Sequence, residues 1–262
     1  MESKGKNMLL VIDVGNTNTV IGVYENETLT QDWRIRTIRE TTTDEFNILA
    51  RALFADKGIQ LTDITKIVIS SVVPSSVRIL NAFCEQYLGI TPLWINPASV
   101  KKLMPILYSN PNEVGADRIV NAVAAYAKHK KALIVIDFGT ATTFDAISEK
   151  GQFLGGAICP GVMISSEALF QRASRLPRVE IFKAPERVIG DDTIESIKSG
   201  IIYGNAAMVD GMVDRMKQEM KTTPMIIATG GLAPLIAEVS NAIESVDLAL
   251  TLDGLKIISR AM

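Results

Sequence analysis

The sequence predicts an α/β fold made of two similar domains, each with a mixed sheet flanked by helices. Residues 9–24 (LLVIDVGNTNTVIGVY) and 133–147 (LIVIDFGTATTFDAI) share one construction, in which an apolar run ends in Asp, a glycine turn follows and a second β-prone run begins. The two aspartates, Asp13 and Asp137, lie 137 − 13 = 124 residues apart, which suits a repeated domain of ordinary size. Strand-like and helix-like segments alternate around these hairpins, as is typical of α/β architectures.

The length and composition fit two small domains of an ordinary globular protein. The chain has 262 residues, of which 47 % are hydrophobic and 21 % charged, and its formal net charge is −2. This weak charge gives no electrostatic reason to expect a nucleic acid or an anionic membrane as partner. The apolar runs are far shorter than the roughly 20 residues that span a bilayer, and no small-residue cleavage site follows the first one. We therefore expect a cytoplasmic protein whose first seven residues are a polar appendage.

The first predicted domain covers residues 8–114. After its hairpin, the spacing of apolar residues and the glycine and proline signals predict further helices and strands in alternation. The predicted elements are a helix over 44–58, a strand over 66–73, a helix from Pro74 to Gly89, a short strand over 92–96 and a turn-rich stretch over 108–115. We place the domain boundary in that stretch.

The second predicted domain covers residues 115–262 and repeats the alternation. Its elements are a helix over 116–131, the second hairpin, a strand over 153–158, a helix from Val162, a long helix over 193–220, a strand over 225–230 and terminal helices. The long helix carries more apolar residues than one covering face needs. Core packing is the default explanation of these residues, and a dimer interface is the alternative.

The first hairpin has the composition of a phosphate-binding turn. Asp13 ends a strand, so its carboxylate should emerge beside the turn, and Gly15 lets a ligand approach the backbone closely. Turn amides and polar side chains suit phosphate oxygens. The predicted phosphate-binding residues are Asp13, Val14, Gly15, Asn16, Thr17, Asn18, Thr19 and Val20. Neither GxxxxGK[ST] nor GxGxxG occurs in the chain, which argues against a P-loop or a Rossmann dinucleotide site.

Two copies of this turn carry more weight than one. A single Asp-x-Gly turn is most simply an ordinary hairpin stabilised by hydrogen bonds from its Asp and Asn side chains. The repetition at Asp137, Gly139 and Thr140, behind a similar apolar strand, makes a shared role in binding a nucleoside triphosphate more plausible. A third segment, ATGGLA (228–233), leads from a strand into a helix, and its glycine pair would let a flat base lie against the backbone.

Taken together, the motifs resemble a known superfamily. GNTNT (15–19), GADR (115–118), DFGTATT (137–143), ATGGLA and TLDGLK (251–256) occur in an order similar to that of the actin, sugar kinase and heat-shock chaperone ATPase superfamily. Within it, the set looks like type III pantothenate kinase. The resemblance implies two ribonuclease H-like domains with a nucleotide cleft between them. It also implies ATP-dependent phosphorylation of pantothenate to 4′-phosphopantothenate, the first step of coenzyme A biosynthesis.

The resemblance also implies roles for residues that the sequence alone would not single out. Asp117 would act as the general base on the primary alcohol of pantothenate, and Arg118 would hold its carboxylate. The remaining substrate-binding residues implied are Tyr108, Gly115, Ala116 and Thr193 of the partner subunit in a homodimer. On the residues alone, an ordinary helix-start aspartate is the slightly favoured interpretation of Asp117. Arg118 would then be a surface arginine, Tyr108 a packed rim residue and Thr193 a helix cap.

Charge balance predicts that cations accompany the nucleotide. A triphosphate would bring several negative charges toward Asp13, Asp117 and Asp137, and unit charges about 4 Å apart interact by roughly 4 kcal/mol at an effective dielectric of 20. We expect Mg²⁺ near Asp13. The resemblance adds a monovalent cation, K⁺ or NH₄⁺, with Asp137 as metal ligand and Thr140 as an ATP contact.

Two alternatives to a pantothenate kinase stay open at this point. The phosphate motifs do not identify the acceptor, so the chain could be a kinase for another small alcohol or a sugar. It could also be a nucleotide-binding regulator without kinase activity, or a filament subunit that hydrolyses ATP, although its small size disfavours the latter.

Overall fold

A computed structural model describes residues 7–262, so the predicted appendage lies almost wholly outside the described residues. The strands are β1 (Met8–Val14), β2 (Asn18–Glu25), β3 (Thr28–Arg36), β4 (Ile64–Ser71), β5 (Leu93–Trp94), β6 (Leu133–Phe138), β7 (Ala141–Ile147), β8 (Phe153–Pro160), β9 (Met225–Thr229) and β10 (Ser245–Val246). The helices are α1 (Thr43–Asp56), α2 (Pro74–Phe83), α3 (Pro97–Val100), α4 (Ala116–His129), α5 (Val162–Arg172), α6 (Thr193–Met220), α7 (Ala233–Ala237) and α8 (Leu250–Ala261). Within the described residues, none of these helices combines the length and apolarity that a bilayer crossing requires.

The strands form two five-stranded sheets with the same internal order. One sheet runs β3-β2-β1-β4-β5, and the other, read from its far edge, runs β8-β7-β6-β9-β10. In each, the first three strands in sequence are antiparallel neighbours and the last two are parallel additions. The predicted repeat of two mixed α/β sheets flanked by helices is therefore confirmed.

The chain forms two compact units that do not follow a single division of the sequence. The first contains the described part of Met1–Pro105 together with Ser109–Ala124 and Thr251–Met262, and the second contains Ile106–Tyr108 and Ala125–Leu250. The boundary that the sequence suggested, between 114 and 115, thus falls inside a segment of the first unit. α8 returns the chain to the first unit because its apolar side chains Leu252, Leu255 and Ile258 are buried there.

Helices cover both faces of the first sheet. On one face, β1 side chains such as Leu10 and Ile12 pack against α1 and α2 through Phe46, Phe54 and Phe83. The opposite face carries Val11 and Gly22, and the space above Gly22 is filled by the side chain of Leu252 from α8. Asp13 follows Val11 by two residues and so shares this second face.

The core of the second unit explains the apolar surplus of α6. The helix begins and ends where the sequence predicted, at Thr193 and Met220. Its side chains Ile201, Ile202 and Val209 are buried against the second sheet, and Met208, Met212 and Met216 pack at the edge of the same cluster. Core packing therefore accounts for these residues, which is the default explanation given above.

Several elements differ from the sequence prediction. β3 was not predicted, and neither were the short elements β10 and α3. The helix expected from Pro74 to Gly89 is α-helical only to Phe83 and continues as one π-turn (Cys84–Leu88) before Gly89 adopts a left-handed conformation with φ +66°. The other predicted elements are present, and their first and last residues differ from the predicted ones by a few positions, as helix and strand termini commonly do.

Candidate active site

The first hairpin presents a closed glycine turn beside Asp13. Asp13 lies near the carboxyl end of β1, half-buried, and accepts a hydrogen bond from Ser70 Oγ at 2.6 Å. The turn closes where Gly15 N donates to Asn18 O at 3.0 Å. A Cβ on Gly15 would lie 3.0 Å from that same oxygen, so glycine fits this position best. Asn16 and Thr17 stand exposed at the tip.

A segment that follows β3 holds the turn from the side. Thr37 Oγ1 donates to Gly15 O at 2.8 Å and shares a hydrogen bond of 2.9 Å with Thr19 Oγ1. Thr37 N also donates to Thr17 O at 3.0 Å. The backbone of the predicted phosphate turn is thereby fixed before any ligand arrives, which lowers the ordering cost of binding.

β3 and the residues that follow it bring arginines to the hairpin, which sequence reasoning missed. Arg36 pairs in register with Asn18, and Arg34 pairs with Val20. Arg39 Nη2 donates to Asn16 Oδ1 at 3.3 Å. These exposed guanidinium groups supply positive charge beside a turn that has no lysine. The alternating pattern of TLTQDWRIR was the signal in the sequence that could have revealed this strand.

Asp117 occupies the first turn of α4 with its side chain folded back along the chain. Its Oδ1 accepts a hydrogen bond from Arg118 N at 2.8 Å. A Cβ on Gly115 would lie 2.5 Å from that oxygen, so the glycine makes room for the carboxylate. Burial raises the pKa of Asp117, and the hydrogen bond from Arg118 N and the nearby guanidinium only partly oppose this rise. A carboxylate with a raised pKa is a stronger base.

The segment that leads into α4 and Asp117 lies close to the first hairpin within the same unit. Val72 N donates to Val14 O at 3.1 Å, and the Val72 side chain lies 3.6 Å from where a Gly115 Cβ would stand. One residue therefore bridges the end of β1 and the start of the GADR segment. Arg118 is only 7 % exposed, so the alternative of an ordinary surface arginine is wrong.

In the second unit, two glycines pack against the second hairpin. Asp137 is half-buried near the end of β6, and Thr140 is exposed in the turn. A Cβ on Gly230, which has φ +91°, would lie 2.6 Å from Asp137 Oδ1 and from Phe138 O. A Cβ on Gly161 would overlap Thr140 O. The ATGGLA segment therefore touches the acid of the second hairpin, as a nucleotide-binding turn would need.

The last two predicted substrate residues stand on separate elements of the second unit. Tyr108 is half-buried, with its ring 3.7 Å from where a Gly155 Cβ would stand on β8. Thr193 is exposed and begins α6, but it does not cap the helix. The cap is Asp192, whose Oδ1 accepts from Glu195 N at 2.8 Å. The alternative role proposed for Thr193 is therefore wrong, while its role in substrate binding stays a prediction.

The fold and these hairpins define a class of protein. Two sheets of like order, each with an acid-ended strand that leads into a glycine turn, form a fold that also occurs in solved sugar kinases. A ROK family glucokinase from Streptomyces griseus, solved with glucose and AMPPNP, has this fold with a TM-score of 0.54 and 13 % identity, over 97 % of this chain and all of that one.

Sequence comparison narrows the class to one family. The profile of the type III pantothenate kinase family matches residues 9–215. A type III pantothenate kinase of Desulforapulum autotrophicum is 71 % identical over 96 % of each chain, and one of Desulfatibacillum aliphaticivorans is 62 % identical over 96 % of this chain and 97 % of its own. This chain belongs to the type III pantothenate kinase family.

Proposed function

We propose that this protein transfers the γ-phosphoryl group of ATP to the terminal hydroxyl of pantothenate, giving 4′-phosphopantothenate for coenzyme A biosynthesis, with Asp117 as general base. Family membership supports the reaction. The observation that carries the role of Asp117 is its place in the unit of the first hairpin. Val72 bonds to Val14 at the end of β1 and lies beside Gly115, two residues before Asp117, and burial raises the pKa of Asp117.

The proposed step needs one proton acceptor and little other covalent chemistry from the protein. As the hydroxyl oxygen of pantothenate bonds to the γ-phosphorus, its proton passes to the Asp117 carboxylate and the bond between the γ-phosphorus and the bridging oxygen breaks, releasing ADP. Phosphoryl transfer depends mainly on positioning and on neutralising charge. Gly115 and the Arg118 N–H hold the Asp117 carboxylate in one orientation, which serves the positioning part.

The donor groups of the first hairpin fit a phosphate chain with Mg²⁺. Asp13 offers a carboxylate, the kind of ligand that Mg²⁺ takes alongside phosphate oxygens and water. The residues from Val14 to Val20 surround a closed turn, and Arg36 and Arg39 add positive charge. In the second unit, Asp137 would bind K⁺ or NH₄⁺ and Thr140 would contact ATP. Mg²⁺ supplies charge neutralisation when bound.

The pantothenate contacts follow from the same proposal. Arg118 would form paired hydrogen bonds with the substrate carboxylate, and Gly115, Ala116 and Tyr108 would line the rest of its site. Thr193 of the partner subunit would complete it, which requires a homodimer. Support for an interface comes from large apolar side chains between 182 and 194 that are exposed, since Phe182 is 80 % and Ile189 84 % accessible. Binding of one ATP by both hairpins, the homodimer and a cytoplasmic location all stay predictions.

A test of the reaction compares acceptors. ADP release is measured with ATP, Mg²⁺ and K⁺ present, in parallel reactions that contain pantothenate, simple sugars or no acceptor. We expect release that depends on pantothenate and falls when Na⁺ replaces K⁺. Release that needs a sugar, or that needs no acceptor, would instead support one of the two alternatives.

A test of the base uses Asp117→Asn. The amide cannot accept the proton, so we expect kcat to fall about 100- to 10,000-fold while the affinity for ATP, measured by calorimetry, changes little. Near-normal turnover in this variant would remove Asp117 from the mechanism.

A further inference from the structure

The two sheets place a hydroxyl residue at the same position beside each hairpin acid. In the first sheet, the parallel pair β1 and β4 sets Asp13 opposite Ser70. In the second sheet, the equivalent parallel pair β6 and β9 sets Asp137 opposite Thr229. Both hydroxyl residues are almost completely buried. The repeat thus extends beyond the hairpin to a residue on the neighbouring strand. In the first unit that strand is β4, which contains none of the sequence motifs named above.

Ser70 has a direct contact with its acid. Its Oγ donates to Asp13 Oδ1 at 2.6 Å, and the serine is 0 % exposed. It follows Ile67, Val68 and Ile69, which are buried apolar residues of the same strand. A hydroxyl buried in such surroundings destabilises the fold unless it makes a hydrogen bond. A bond to an ionised acceptor is short and comparatively strong, so it restricts rotation of the Asp13 carboxylate.

We propose that Ser70 is a positioning residue for phosphoryl transfer, which holds the Asp13 carboxylate in the orientation that receives the Mg²⁺-bound triphosphate. This inference rests on the proposed function, because it assigns Asp13 to the Mg²⁺ and phosphate site. Ser70 acts through Asp13 and does not itself touch the nucleotide. Thr229 is its counterpart beside Asp137 by position in the second sheet.

Residues that orient a metal-binding group typically change metal affinity or activity by about 10- to 100-fold when they are removed. We therefore expect removal of the Ser70 hydroxyl to change the Mg²⁺ concentration that the protein requires. If Ser70 served packing alone, its replacement would lower stability and leave the Mg²⁺ requirement unchanged.

The experiment compares three substitutions at Ser70 with a matched control. Ser70→Ala removes the hydroxyl, Ser70→Thr keeps it, and Ser70→Cys keeps the volume with only a weak donor. The control is Ser259→Ala in α8, because Ser259 is also a buried serine of the first unit whose Oγ makes one hydrogen bond, to Lys256 O at 2.7 Å. The Mg²⁺ concentration for half-maximal ADP release is measured at saturating ATP and pantothenate, together with the denaturant midpoint of unfolding.

We expect Ser70→Ala to raise the half-maximal Mg²⁺ concentration about 10-fold, Ser70→Cys to give an intermediate value, and Ser70→Thr to return close to the wild-type value. Ser259→Ala should alter only the unfolding midpoint. The proposal is overturned if Ser70→Ala and Ser70→Cys match Ser259→Ala in their Mg²⁺ dependence. This comparison holds even if threonine proves too large for the site.

A second measurement separates this inference from the proposed function. Calorimetric titration of ATP at a series of Mg²⁺ concentrations, without any acceptor, tests the link from Ser70 to Mg²⁺ directly. If the wild-type protein does not phosphorylate pantothenate, the proposed function fails, yet a weaker Mg²⁺-dependent affinity for ATP in Ser70→Ala still supports the positioning role. An unchanged affinity in a protein that does phosphorylate pantothenate overturns the positioning role alone.

Discussion

Asp117 illustrates how a catalytic requirement conflicts with stability. Its pKa is raised in the folded protein, chiefly by burial, so the folded state binds this proton more tightly than the unfolded state does. The contribution of Asp117 to stability is therefore least favourable above its folded pKa and improves as the pH falls toward the ordinary carboxyl pKa. Each unit of pKa shift corresponds to about 1.4 kcal/mol.

Asp117→Asn should therefore make the protein more stable at neutral pH while it lowers turnover. Asparagine cannot ionise, so it avoids the cost of a buried charge. We expect a higher Tm than wild type at pH 7 and a smaller difference near pH 4, measured by thermal unfolding of both proteins in the same buffers. A lower Tm at pH 7 would contradict the assigned cause of the pKa rise.

Gly115 should matter for catalysis more than for folding. A Cβ there would lie 2.5 Å from Asp117 Oδ1, and the carboxylate is the far end of a flexible side chain that can turn away. We expect Gly115→Ala to lower kcat by about 100-fold, the effect of misplacing a reacting group by about 1 Å, with little change in the unfolding midpoint. A loss of stability with normal kcat would show that the glycine is needed by the backbone instead.

At the scale of elements, the glycine of TLDGLK explains how α8 packs so closely on α4. A Cβ on Gly254 would overlap the carbonyl of Val120, and Thr251 Oγ1 donates to Asn121 Oδ1 at 2.7 Å beside it. α4 is also the helix that carries Asp117. The close contact between the two helices therefore supports the position of the proposed base.

Gly254→Ala should destabilise the protein by about 1 to 3 kcal/mol, because the two helices must move apart to admit the methyl group. The control is Gly211→Ala in α6, where nothing lies within 4 Å of the new Cβ. That change should be neutral or stabilising by up to about 1 kcal/mol, since alanine favours a helix over glycine. The denaturant midpoint of unfolding should therefore fall in Gly254→Ala and stay the same or rise in Gly211→Ala.

The elements that the sequence predicted are those with a strong local signal. The hairpins and α6 combine long apolar patterns with clear turn or cap residues, and they were confirmed. β3 was not predicted because it is a sheet-edge strand with mixed polar and apolar residues. The pairing of Ser70 with Asp13 spans 57 residues of sequence, so no local pattern could reveal it.

At the scale of the whole molecule, the first unit is assembled from segments far apart in the sequence. Residues 251–262 contain all of α8 except its first residue. The Tyr24 hydroxyl of β2 donates a hydrogen bond of 2.8 Å to Asp253 Oδ1 of this helix. Lys256 Nζ lies over the Tyr24 ring, 4.8 Å from the ring centre. The sequence prediction assigned this helix to the second domain because only its order along the chain indicated to which domain it belongs.

Deleting residues 251–262 should unfold the first unit. Full burial of a Leu or Ile side chain contributes about 1.5 to 3 kcal/mol, so losing Leu252, Leu255 and Ile258 removes much of the roughly 5 to 15 kcal/mol that typically stabilises a protein. We expect proteolysis to cut rapidly within residues 7–105 in the deletion variant. Removing only the exposed Met262 should have no such effect, and a resistant deletion variant would contradict the prediction.

The late return of α8 to the first unit also constrains how the protein is made. Translation produces β1 before α8, and domains commonly fold as they emerge from the ribosome, N-terminal first. Here the face of the first sheet that carries Val11 and Gly22 cannot be covered by Leu252 until α8 has been translated. The unit that contains β1 thus depends on a helix made more than 200 residues later than that strand, and an apolar face left open during synthesis favours aggregation.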